Sequence, residues 1–124
     1  MSLKQKSDLI KPYIEEGYRN DFNNIALVPP EVALQLLDGW PNVDPEGRQN
    51  RSPTMKKLID TALKYHGTLS GYFIPIESGR DDARIQFDGM KLHLTKEDAK
   101  RLRRNLKPNS FQDLGEGVYS FWWD

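Results

Sequence analysis

The chain has 124 residues, of which 37% are hydrophobic and 29% charged, and its formal net charge is zero. That length suits one domain around one core, and balanced charge with three Trp, five Tyr and five Phe is the composition of a folded chain rather than a disordered one. With no cysteine, disulfides, thiolate catalysis and Cys-based zinc or iron–sulfur sites are excluded.

Lys4, Lys6, Asp8 and Lys11 leave no apolar run for a secretory signal near the N-terminus. No stretch approaches the ~20 apolar residues of a membrane span. The expected address is cytoplasmic, with no membrane partner.

Ile10, Tyr13, Ile14 and Gly17 or Tyr18 recur at helical spacing and predict a helix over 8–19 with Pro12 in its first turn. Asn20, Asp21, Asn23 and Asn24 make a loop, and the apolar run from Ile25 to Val28 suits a short strand or a buried lead-in to the next helix. Pro30 is acceptable at a first helical position. Val32, Ala33, Leu36 and Leu37 supply that helix with an apolar stripe, and Gly39 closes it. From Gly39 to Ser52 there is no periodicity and much Gly, Pro, Asn and charge. Ordered loops of this length are uncommon in small domains and tend to be functional or mobile.

Ser52 and Pro53 predict the N-cap and first position of a third helix. Met55, Leu58, Ile59, Ala62, Leu63 and His66 form its buried stripe and Gly67 ends it. Leu69 to Ile76 reads as a central strand, apolar on both faces, and Glu77 to Asp82 as a polar loop. Asp88-Gly89, flanked by alternating apolar residues, predicts a two-residue type I′ hairpin over 83–94. In that register Phe87 faces Met90, Ile85 faces Leu92 and Ala83 faces Leu94, so Arg84, Gln86, Lys91 and His93 share the other face.

Thr95 and Asp98 begin a fourth helix over 96–107, with Ala99, Leu102 and Leu106 as its stripe and Pro108 as its stop. Gly115 and Gly117 read as a turn before a final aromatic strand, Gly117 to Trp123. The pattern as a whole predicts an α+β fold, a small antiparallel sheet of about four strands around the central hairpin 83–94, with helices packed on one face.

Three groups of residues could carry function. Adjacent residues of a strand face opposite ways, so Trp122 and Trp123 cannot both enter one core. With Trp40, Arg48 and Arg51 of the long loop they are candidate partner-binding residues, aromatic and arginine side chains being frequent interface anchors. The second group is basic: seven Lys and Arg against two acids from Lys91 to Lys107. Lys91, Lys100, Arg101, Arg103, Arg104 and Lys107 are candidate nucleic-acid or anion contacts, although acids early and bases late are also what a helix dipole favours. The third is the acidic loop Glu77, Asp81 and Asp82, which could serve a small enzyme or hold a metal with a phosphate. The alternating Asp44, Glu46, Arg48 and Asn50 lack the glycine position and closing glutamate of a calcium loop.

Nothing brings a serine, a carboxylate and a histidine together, and no cofactor motif appears. The function expected from the sequence is a non-enzymatic binding or regulatory module acting through protein contacts or self-association. Nucleic-acid or anion binding through helix 96–107 is the alternative.

Overall fold

A computed structural model of the chain describes residues 3–37 and 52–124. Its elements are α1 (Leu3–Ile10), β1 (Asn23–Val28), α2 (Pro30–Leu37), α3 (Met55–Lys64), β2 (Thr68–Ile74), β3 (Arg84–His93), α4 (Lys96–Leu106), β4 (Ser110–Gly115) and β5 (Val118–Trp122). The strands make a five-stranded antiparallel sheet in the order β1-β2-β3-β5-β4. The fold is α+β with helices packed on the sheet, and it has five strands where the sequence suggests four.

Residues 83–94 are not a hairpin. Residues Arg84–His93 form one continuous strand, and neither Asp88 nor Gly89 takes the positive φ of a type I′ turn. Ser70 pairs with Gly89 and Gly71 with Phe87, so Asp88 is the extra residue of a β-bulge. A bulge shifts the inward-facing set by one position. Ile85 and Phe87 before it, and Met90 and Leu92 after it, are all buried on the helix-covered face. A tight turn and a bulge both flip the parity of an apolar pattern, so the sequence signal was real but has two structural solutions.

The I′-like hairpin lies later, between β4 and β5. There Glu116 and Gly117 both have positive φ, 56° and 79°. Ser110–Gly115 is an edge strand, mostly exposed, with no apolar alternation to announce it. Other differences are local. Pro12, which lacks an N–H, ends the first helix instead of starting it and sits in a 3-10 turn, Lys11–Tyr13. Thr54, not Ser52, caps α3, its side chain accepting from Lys57 N at 3.1 Å. Since α3 stops at Lys64, His66 falls outside its stripe, exposed and with φ 52°. The start of α4 is as the sequence implies, with the Thr95 hydroxyl accepting from Asp98 N at 3.1 Å.

One cluster of buried side chains joins Ile10 of α1, Ala33 and Leu36 of α2, and Leu58 and Ile59 of α3 to the inward face of the sheet. Ala99 and Leu102 of α4 belong to the same cluster. On the other face, among the described residues, Tyr72, Ile74 and Ala83 form a small separate buried patch.

Candidate binding face of the sheet

Strand alternation and register build the face that no described helix covers. Residues directly opposite in an antiparallel pair project on the same side. One row across the sheet is therefore Ser70, Gly89, Trp122 and Ser110, and the next is Thr68, Lys91, Ser120 and Gln112. With Gly89 and the Gln112 amide, they place four small hydroxyl groups around one lysine and one indole. A Cβ at Gly89 would stand 2.5 Å from Ser70 Oγ and 3.4 Å from the Trp122 ring, so the glycine leaves room for both.

Trp122 is 44% exposed, whereas Trp123 is fully buried. Trp123 stacks near Phe121 with ring centroids 6.3 Å apart. Its indole N–H donates to Leu106 O at 2.9 Å, tying the end of α4 to the core. Trp123 is thus removed from the candidate partner-binding residues, because alternation gives the core-facing position to it and the open one to Trp122. Trp40, Arg48 and Arg51 lie outside the described residues.

Leu27 adds a feature that the sequence does not show. The β1–β2 register shifts between Ile25 and Val28, and there Leu27 takes φ 57° while 56% exposed. A bulky side chain in the left-handed region is strained. Leu27 lines a shallow depression with Ala26, Thr68, Ser70, Lys91 and Ser120. At the end of the sheet towards the 3-10 turn Ile76–Ser78, Phe22 stacks on Tyr72 at 5.2 Å, and the Arg84 guanidinium donates to the Tyr72 hydroxyl at 2.5 Å.

The basic candidates divide. Leu92 belongs to the same buried cluster as Ala99 and Leu102 of α4, so Lys91, its strand neighbour, faces the opposite side of the sheet. On α4, Arg101 is held by Asp98 at 3.0 Å and by the Tyr65 hydroxyl at 2.7 Å. Arg103 lies 4.8 Å over the Phe111 ring. Lys100, Arg104 and Lys107 are exposed. Among the described residues, Lys91 and helix α4 therefore lie on different sides of the sheet.

The acidic loop is likewise divided. Arg80 makes two hydrogen bonds to the Asp82 carboxylate, at 2.7 and 2.8 Å, which holds Asp82 below the usual carboxylate range. Glu77 instead accepts from the Tyr18 hydroxyl. Partial desolvation and this carboxylate push Tyr18 up to about 12. Among the described residues no three acidic or histidine side chains gather as a metal site would require.

At the bulge, burial pushes the Asp88 carboxyl from 3.8 up to about 6 against the weaker opposing pull of a backbone hydrogen bond. A raised folded-state value means the folded protein binds this proton more tightly than the unfolded chain. The linked stability is complete below about pH 4 and is lost as pH rises through about 6. Asp88→Asn is expected to stabilise the protein at pH 7.5 by about 1 kcal/mol after allowance for partial solvent screening, and to flatten the pH 4–6 dependence. Thermal melts across that range check this, and a mutant less stable at pH 7.5 would count against it.

No helix of the described residues is long and apolar enough to cross a membrane. In comparison with known proteins, no family model, curated protein or solved structure matches the chain. What the fold defines is a class: an α+β protein whose antiparallel sheet has helices on one side and, on the other, a hydroxyl-rich area around Lys91 and Trp122 that no described helix covers.

Proposed function

We propose that the chain is a non-enzymatic binding module that receives an extended, acidic segment of a protein partner on the open sheet face. The observation that carries this reading is the exposed indole of Trp122, immediately beside a fully buried Trp123. Folding consumes one aromatic ring and leaves the other on a flat surface. Exposed tryptophans at such positions are frequent interface anchors.

The strained, exposed Leu27 supports the same surface. It stands three strands from Trp122 in the order β1-β2-β3-β5, or about 14 Å at usual strand spacing. An extended segment spans that with about four residues. Between the two anchors stands Lys91 among hydroxyl groups, with His93 two residues on and Arg84 at the start of the same strand. Lys91 and Arg84 give the face a cationic character that disfavours face-to-face pairing with a second copy and suits carboxylates.

A random peptide library selected on the purified protein tests the proposal. Enriched peptides are expected to carry Asp or Glu between two apolar residues. Trp122→Ser and Lys91→Glu should each weaken them about tenfold or more, with stability changed by no more than ~0.5 kcal/mol for the exposed Lys91 and by roughly 1 kcal/mol for Trp122, which is 44% exposed. Peptides that bind Trp122→Ser undiminished would overturn the reading. Salt-sensitive oligonucleotide binding abolished by Gln at Arg101, Arg103 and Arg104 would transfer function to α4.

A further inference from the structure

We propose that the cleft between α1 and the 3-10 turn Ile76–Ser78 binds a small organic monocarboxylate, independently of the open sheet face. The cleft measures about 430 Å³ and is lined by Lys4, Ser7, Asp8, Lys11, Ile76 and Glu77. That is within the size range of small-molecule sites. It shares no residue with the surface around Trp122.

The polar groups of the cleft are unequally matched. Lys11 Nζ is 3.2 Å from Asp8 Oδ1 and 4.8 Å from the centre of the Tyr18 ring. Glu77 accepts from the Tyr18 hydroxyl. Ser7, by contrast, is 95% buried, being 5% exposed, and its Oγ has no hydrogen-bond partner. A buried hydroxyl without a partner is costly and uncommon, and here it belongs to a residue of the cleft wall. Lys4 makes no ion pair among the described residues and stands three positions earlier on α1, where helical geometry makes i and i+3 neighbours.

Lys4 offers an ammonium, and rotation of the enclosed Ser7 hydroxyl about χ1 would turn a second donor into the cleft, the pair that a carboxylate accepts from. Ile76, a large aliphatic side chain left 36% exposed at the cleft, gives the ligand's hydrocarbon body a wall. Asp8 and Glu77 select against a multiply charged anion such as phosphate, whose second charge they would repel. Lys11 is paired with Asp8, and Lys4, the lysine of the cleft without an ion pair among the described residues, disfavours an amine beside it.

The probe is hexanoate, with hexan-1-ol and hexylamine as matched controls, titrated into isotopically labelled protein and followed by amide chemical shifts. Hexanoate is expected to give saturable shifts at Ser7, Ile76 and Glu77 with a Kd of about 1 mM, and the two controls to bind at least about fivefold more weakly. Ser7→Ala and Lys4→Gln should each weaken hexanoate about five- to tenfold. Ser7→Ala should not lower the melting temperature, since it removes an unsatisfied hydroxyl, so lost binding cannot be ascribed to unfolding. Hexan-1-ol binding as tightly as hexanoate, undiminished hexanoate binding by Ser7→Ala, or no saturable shift would each overturn the proposal.

Discussion

Gly71→Ala is expected to destabilise the protein by about 3 kcal/mol or more, enough to leave a substantial unfolded population. A Cβ at Gly71 would lie 1.8 Å from Gln86 O and 2.8 Å from Phe87 Cα. Those are backbone atoms of the neighbouring strand and cannot rotate aside. β2 and β3 would have to part beside the Asp88 bulge, in the middle of the sheet. Gly89→Ala is the internal comparison: its Cβ meets the Ser70 hydroxyl at 2.5 Å, a side chain able to change rotamer, so its cost should be clearly smaller. Denaturant melts of the two variants read this directly. Equal effects would show that the close approach at the bulge is not what requires glycine at position 71.

Trp123→Ala is expected to cost about 4 kcal/mol, in the range for removing a fully buried large aromatic. The indole is completely enclosed, and its loss would also leave Leu106 O without the N–H at the end of α4. Trp123 N further donates to Asp88 O at 2.9 Å, a contact that survives the substitution, so the strand end should stay paired while the core loosens. Trp122→Ser, one residue earlier, should lower the unfolding midpoint far less, its ring being 44% exposed. That contrast between adjacent tryptophans separates the structural ring from the one available to a partner.

Elements whose ends carry local chemistry were legible. Pro30 starts α2 and Thr95 caps α4 within the chain's own short-range signals. The segment around Asp88-Gly89 was legible only in part. Its apolar residues change parity there, and the choice between a turn and a bulge depends on whether β2 and β5 flank the strand, which is long-range information. α1 was hidden because Lys6 and Ser7 are buried within it, so its inward face does not look apolar. β4 was hidden for the opposite reason, being an exposed edge that no burial pattern marks.

The candidate face was half visible in the same sense. Alternation along β5 required one terminal tryptophan to face away from the core, but which one depends on register with β3. Leu27 carries no sequence signal, since its importance lies in a backbone conformation imposed by the β1–β2 irregularity. The basic residues looked contiguous in sequence and are parted by the sheet, because Lys91 and Leu92 face opposite sides.

The most direct test of the open face as the binding surface is a backbone amide titration of the labelled protein with an acidic peptide obtained by selection on it. The expected result is a set of shifts confined to Leu27, Ser70, Gly89, Lys91, Ser120 and the Trp122 indole, absent in Trp122→Ser. Shifts centred on Lys100, Arg104 and Lys107 of α4, with the sheet unaffected, would contradict it.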